Sequence, residues 1–492
     1  MKRLYILSIS FFLSLLISNA QNETDALRYS QVFPGGTARA MGMSGAFGAF
    51  GGDFSTLSIN PAGIGVYRSS EFTFTPAMNW TSVTSQYLGN TSEENASNFF
   101  LGNAGFVYSY LTGKDKGLVS VNFGGGYNRE NNFAQNIVMQ GVNNSNSLLD
   151  YFAGNADGTS YNDLYPFEEG IAWDVYMIDT VRDQPLNYET VYSLWGDNPN
   201  STYGQVQQRT ISSTGGAGEY VISLGMNLSN IFYLGGTLGI HYLNYRQDMN
   251  HDEYDPDGSI EEFDYFTFNE LLYTRGSAVG FKLGFLLKPI QFLRIGGAVH
   301  FPYKYKLSET YSTYMVSGFD TPVDGVSEYE SASPESNYRY ALSTPFKAIG
   351  NIGFQIFKLA LIDVDFEYVN YSSMRLRNGS DGYDFMDENQ NITEAYRDVL
   401  NLRAGVEFRV KAFSLRAGAA YYASPYAETE ANKDADYLGF SGGIGFKQKQ
   451  FFFDLAYAYA GHREQYYMYP NTQPVVNDFN KNSVLATLGY KF

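Results

Sequence analysis

The chain closes on Val484-Leu485-Ala486-Thr487-Leu488-Gly489-Tyr490-Lys491-Phe492. Read with a period of two, Val484, Ala486, Leu488, Tyr490 and Phe492 share one face, and Leu485, Thr487, Gly489 and Lys491 the other. An apolar face ending in aromatics, set against small and polar residues, is what a strand between lipid and a polar lumen requires. Leu488, Tyr490 and the final Phe492 also make the kind of terminal signal by which outer-membrane barrels are recognised for insertion. Barrel-assembly machinery is therefore an expected partner, alongside outer-membrane lipid.

The same alternation recurs upstream. Phe451, Phe453, Leu455, Tyr457 and Tyr459 oppose Phe452, Asp454, Ala456 and Ala458; Leu402, Ala404, Val406 and Phe408 oppose Arg403, Glu407 and Arg409. Ile362, Val364, Phe366 and Tyr368 oppose Asp363, Asp365 and Glu367. Extended along the chain, the pattern predicts fourteen strands, at about 70–84, 98–111, 117–130, 217–229, 231–248, 260–287, 291–308, 338–357, 360–374, 394–411, 413–423, 435–447, 450–462 and 482–492. Very short connections, such as Lys411-Ala412 and Lys447 to Lys449, alternate with long polar ones. That asymmetry separates periplasmic turns from extracellular loops, and a β-sandwich has no reason to show it. The fold class expected is all-β, a transmembrane antiparallel barrel. The longest connection, about 131–216, carries helical signals around Ser147 to Phe152 and Ile171 to Val181, and reads as an extracellular cap.

Composition agrees. Gly, Tyr and Phe number 50, 42 and 38, which suits tight turns and interfacial aromatic girdles. Lys2 and Arg3, the apolar run Leu4 to Ile17 and Ser18-Asn19-Ala20 read as a secretory signal over 1–20. No cysteine is present, which excludes disulfides, thiol catalysis and thiolate metal sites. A net charge of −18 argues against nucleic acid as partner. The expected location is a Gram-negative outer membrane, as a monomer.

Residues 21–69 do not read as strand. Gly35-Gly36-Thr37-Ala38-Arg39-Ala40-Met41-Gly42-Met43-Ser44-Gly45-Ala46-Phe47-Gly48-Ala49 concentrates small residues that let backbones approach closely, as a segment inside a confined lumen must. Asp53 and Ser55-Thr56-Leu57 follow, and then Asn60-Pro61-Ala62-Gly63, directly before the first strand. This run resembles the FadL/TodX family of outer-membrane transporters of long-chain fatty acids and other hydrophobic compounds. The resemblance implies a helical hatch over 21–69 plugging the barrel of 70–492, with Gly42, Gly45, Gly48, Asn60, Pro61, Ala62 and Gly63 as hatch residues. It also implies capture of a hydrophobic ligand and sideways release through a wall gap at an inward kink in the third strand. Gly124-Gly125-Gly126 in that strand weaken it and mark the expected gap, with the hatch glycines as its opposite rim.

Two other readings stay open: a receptor for haemin or another ligand, and a barrel that anchors extracellular binding loops. A hatch with an apolar pocket favours transport, and a packed lumen favours an anchor. His241 and His300 share an inward face, where paired haem ligation competes with simple hydrogen bonding. No nucleophile or metalloprotease motif occurs, so no catalytic site, metal or cofactor is expected. Asp363, Asp365 and Glu367, facing Arg403, Glu407 and Arg409, read as a salt-bridge network of the wall. Asp255-Pro256-Asp257-Gly258 lacks the full calcium-loop spacing, and Asp387 to Asn391 is followed by Ile392 where the sharp turn needs glycine, so both read as acidic turns.

Overall fold

Residues 22–194, 203–260 and 262–492 are described by the structure, a computed structural model. The expected leader at 1–20 lies outside them.

Fourteen strand positions close into one antiparallel barrel. In chain order they are Glu71–Tyr87, Asn90–Leu111, Leu118–Asn132, Val206–Leu228, Phe232–Tyr254 and Phe263–Ile290. The seventh and eighth are each broken once: Leu293–His300 continues as Lys304–Val323, and Ser336–Ser343 as Lys347–Ile356. Ala360–Asn370, Asp398–Val410, Phe413–Tyr422, Tyr437–Gln448, Phe451–Tyr466 and Val475–Lys491 complete the wall. Closure joins first to last, with Glu71 opposite Lys491 and Phe74 opposite Leu488. The Lys491 ammonium meets Glu71 at 2.6 Å, and the Phe492 amide donates to the Ser70 carbonyl at 3.0 Å. Leu488 and Phe492 face lipid, while Leu485 and Thr487 are buried inside, so the terminal alternation is realised as read.

Several strands run far longer than the roughly 9–11 residues a bilayer needs. The fourth, fifth and sixth have 23, 23 and 28 residues. The first two continue to a tight turn at Leu88-Gly89, both with positive φ, through a stretch expected to be loop. Beyond the bilayer both faces of a strand meet water or the cap, so the polar run Asn90 to Asn98 loses the alternation that marks a membrane strand.

The cap between the third and fourth strands begins with a short strand, Gln135–Val142, paired to the fourth. Because three hatch helices precede it, its first helix is the fourth of the chain. The hatch contributes α1 (Glu23–Ser30), α2 (Ala38–Met41) and α3 (Thr56–Ile59), followed by a 3-10 turn over Pro61–Val66. The cap holds α4 (Leu148–Ala156), α5 (Glu169–Asp174), a hairpin of Ile178–Val181 with Gln184–Thr190, and α6 (Val191–Leu194). Ser147 starts α4 with a capping box to Asp150, as its sequence suggests. The second helical expectation is corrected: α5 ends at Asp174, Tyr176 turns the chain with φ 59°, and Ile178 onward is strand. A last helix, α7 (Met386–Ala395), lies in the loop before the tenth strand.

The N-terminal segment threads the lumen instead of closing only its periplasmic mouth. Tyr396, beside α7, donates to the Glu23 carbonyl at 3.0 Å, and Tyr29 of α1 donates to Thr274 at 3.0 Å. The chain therefore descends from the outer half of the barrel to Tyr67 before entering the first strand.

Candidate functional site

Two features could govern passage through this barrel: the seat of the hatch and the wall beside it.

The seat is built from close approach and charge. A Cβ on Gly48 would lie 2.0 Å from the Asn351 amide nitrogen and 2.8 Å from Asp365. Gly45 needs its φ of 76°, and Gly42 packs on the backbone of Gly443 in the twelfth strand. Asn60 is fully buried: its side-chain oxygen accepts from the Ala62 amide, and its nitrogen donates to Gly48, Phe285 and Asn351. Pro61 opens the 3-10 turn, and Gly63 allows contact with Thr56 and Gly51. The wall supplies the charges. Arg39 of α2 pairs with Glu407 at 2.9 Å, and Glu407 also holds Arg416 at 2.6 Å and Arg409 at 2.5 Å. Asp365 accepts from the Phe47 and Gly48 amides at 3.3 Å, and Asp363 from the Ala49 amide at 3.1 Å. Arg403 closes on Glu367 at 3.1 Å. The ionic network expected in the wall is present, and it also clasps the hatch.

The expected gap at Gly124-Gly125-Gly126 is corrected. These residues pair on both sides, with Val107, Phe106 and Gly105 of the second strand and with Ser223, Ile222 and Val221 of the fourth. The glycines make room for the hatch: a Cβ on Gly124 would meet Ile64 at 2.9 Å, and one on Gly126 would meet Phe54 at 2.7 Å. Gly125 points outward, where nothing lies closer than 3.5 Å. The ladder between second and third strands ends two residues later, at Asn103 opposite Asn128. Above it the third strand bulges at Arg129 to Asn131, and its continuation 135–142 pairs with the fourth strand. Among the described residues only side-chain bonds, Asn90 to Gln140 and Asn136 to Asn95, tie it to the second strand there.

The hatch covers this break with an extended segment. The Phe33 amide donates to the Glu130 carbonyl at 3.3 Å, and the Asn131 side chain donates to the Gln31 carbonyl at 3.2 Å. Gly35 lies so close that a Cβ would be 2.1 Å from the Arg129 carbonyl oxygen. Gly35 rims the break, whereas Gly42, Gly45 and Gly48 face other strands. Backbone groups without ladder partners cannot face hydrocarbon. That requirement explains why an extended, glycine-bearing segment, which offers its own backbone groups, is held here.

Beside the break lies a lumen cavity of about 50 Å³, lined by Val32, Phe33, Glu130, His241, His300 and Lys347 among others. It has room for a few waters and not for a drug-sized ligand. The two histidines do not converge as axial ligands. His300 donates to the Ile59 carbonyl at 2.9 Å, while His241 stacks on Tyr303 and bonds Glu130. The acidic segments read as turns differ from each other: Asp255 caps its own turn by accepting from Ile260, whereas Asp387 to Asn391 belong to α7.

Residues 266–490 match the family described as outer membrane protein transport protein (OMPP1/FadL/TodX). That stretch is barrel wall, so the resemblance seen in the hatch run is borne out by a separate part of the chain. Among solved structures the chain is similar to a FadL homologue of Pseudomonas aeruginosa, at 14% identity over 94% of this chain and 99% of that one, with a TM-score of 0.55. It is also similar to the toluene transporter TodX of P. putida, at 12% identity, the same coverages and a TM-score of 0.54. No curated protein matches it in sequence. These likenesses establish the fold, a fourteen-stranded antiparallel barrel.

Proposed function

We propose that this barrel is an uptake channel for hydrophobic small molecules, released sideways at the third-strand bulge when the hatch segment 31–36 moves. The observation that carries the reading is the wall ladder stopping at Asn103 and Asn128, with the freed edge taken by hatch backbone. A wall side chain there would seal the barrel permanently; a hatch segment seals it reversibly. The likeness to the toluene transporter TodX supports a small aromatic hydrocarbon as ligand, and the family resemblance of the hatch run adds long-chain fatty acids. The cavity beside the hatch segment holds only about 50 Å³, too little for such a ligand, so the segment has to move before one can pass there.

The chain has no cysteine, so a paired substitution gives a clean test. Cysteines at Gln31 and Asn131, which touch through the Asn131 side chain, should lock the segment when oxidised. Uptake of labelled fatty acid or toluene should stop on oxidation and return on reduction. Equal uptake in both redox states would refute release at this break.

The second reading, a barrel anchoring an extracellular binding surface, is favoured by the cap, whose α4 and α5 fill the outer mouth with a continuous apolar core. Absence of uptake for both ligand classes in the unmodified chain would select it.

A further inference from the structure

Glu219 and His241 are direct cross-strand neighbours on the inner face of the fourth and fifth strands. Both side chains are buried, at 0% and 1% exposure. The Glu219 Oε1 atom and the His241 Nε2 atom face each other at 3.6 Å, and neither has a hydrogen-bond partner. The other imidazole nitrogen is committed: Nδ1–H donates to Glu130 Oε2 at 2.9 Å. In the neutral ring that bond leaves the lone pair on Nε2. Two lone-pair acceptors then point at one another inside a buried wall, which is unfavourable unless something positive lies between them.

We propose that Glu219 Oε1 and His241 Nε2 are ligands of a divalent transition-metal ion, zinc by preference, with Glu130 as the positioning residue. Zn–N and Zn–O distances near 2.0–2.1 Å close a 3.6 Å separation at an angle of roughly 125°, within reach of tetrahedral coordination. A carboxylate holding the far nitrogen of a ligating imidazole is the usual outer-shell arrangement. The three side chains bring ligand atoms within 4.8 Å of one another. Space is reserved on the same side: a Cβ on Gly239 would lie 2.0 Å from Glu219 Oε1, and one on Gly280 2.8 Å from His241 Nε2. The lumen cavity touches Glu130 and His241 and has room for waters to fill the remaining positions. A mixed nitrogen and oxygen set favours zinc and its neighbours over calcium or magnesium, which take oxygen.

Lys282 tempers the affinity. Its ammonium lies 2.6 Å from Glu219 Oε2 and 3.9 Å from Glu130 Oε1, so it repels a second cation while leaving Oε1 free. Glu130 is the residue bulged out of the third strand. A bound ion would thus fasten the third, fourth and fifth strands where the wall ladder ends.

The experiment uses the full barrel in mild detergent, stripped with a chelator and titrated with zinc chloride by calorimetry. One saturable site per barrel is expected. Glu219→Gln and His241→Gln should abolish it, and Glu130→Gln should weaken it about 10–100-fold while both ligands remain. Lys282→Met should tighten it, and that variant keeps the test open if the ligand variants fail to form heat-modifiable barrels. Anomalous scattering at the zinc edge should place the ion between strands four and five. No saturable binding, or binding equal in all four variants, would overturn the site and leave a shared proton between Glu219 and His241.

Discussion

The hatch seat and the extracellular cap fill the same barrel by opposite means. At the seat, apolar contacts come in small separate patches, such as Met43, Phe47 and Phe50 on Leu361. Position is set instead by directional bonds to Glu407, Asp365, Asp363 and Asn351. In the cap, Leu148, Leu149 and Phe152 of α4 and Ile171 of α5 join one continuous core with Val83, Phe266, Phe268 and Met315 of the wall. Burying apolar side chains stabilises by about 1.5–3 kcal/mol each and needs no partner. Buried charge pairs contribute little net stability, yet losing one member is costly. The cap is therefore fixed by bulk burial and the seat around residues 38–63 by matched contacts, while α1 joins an apolar core of its own with Leu243, Tyr305 and Leu342.

The sharpest way to break that contrast is to remove one charge from the seat. Glu407→Gln leaves Arg39, Arg409 and Arg416 around a neutral amide. The seat should lose about 3–5 kcal/mol. Residues 38–63 should become protease-sensitive and cells more permeable to large antibiotics, with α1 and the cap unaffected. An intact seat would mean that packing, not charge, holds the hatch.

Phe152→Ala tests the other side at a similar scale, about 3–5 kcal/mol. The cap should then be cleaved by protease while the barrel stays heat-modifiable and the hatch stays protected. If hatch and cap loosen together, they form one cooperative unit and the comparison fails.

Gly48→Ala should cost about 1–3 kcal/mol, because the new methyl must push aside the ends of Asn351 and Asp365. Its signature is a partial form of the Glu407→Gln leak.

Acidification should loosen the cap and spare the seat over the same range. His251 and Glu253 lie at the outer end of the fifth strand, beyond its lipid-facing residues Leu234, Leu238 and Ile240. Arg209 donates to His251 Nδ1 at 3.2 Å, and His251 Nε2 donates to Glu253 at 2.9 Å, so the imidazole is neutral. Burial, then the Arg209 charge, holds the His251 pKa below 6.5. Burial raises Glu253, but hydrogen bonds from His251, Ser147 and the Leu148 amide outweigh it and keep its pKa below 4.5. Both folded values lie under the unfolded ones. Cap stability is therefore full above about pH 6.5 and falls as pH drops, first through the histidine and then through the carboxylate. A cap whose protease resistance is unchanged between pH 7.5 and pH 5 would contradict this.

Gly125→Val should do least, within about 0.5 kcal/mol, since the new side chain points to lipid. Uptake at equal surface expression should match that of the unaltered chain. A strong defect would reopen the wall at the glycines.

Strand number, strand order and the sidedness of turns and loops were legible without coordinates. A membrane strand must alternate because its two faces meet two solvents, and that pattern is local to each segment. The same logic exposed the inward ladder of Asp363, Asp365, Glu367, Arg403 and Glu407, though not that the ladder clasps Arg39 and the amides of Phe47 to Ala49. Outside the bilayer the alternation fades, so the outer ends of the second, fourth, fifth and seventh strands passed as loop. The role of Gly124 to Gly126 was misread because glycine reports only that backbone must come close, not to what; the answer, Phe54 and Ile64, lies far away in sequence. Register and shear decided the rest. They set the end of the ladder at Asn103 and Asn128 and bring Glu130, Glu219 and His241 together across three strands. Sequence fixes which face a residue occupies, but its depth in the lumen follows from how every strand is staggered against the next.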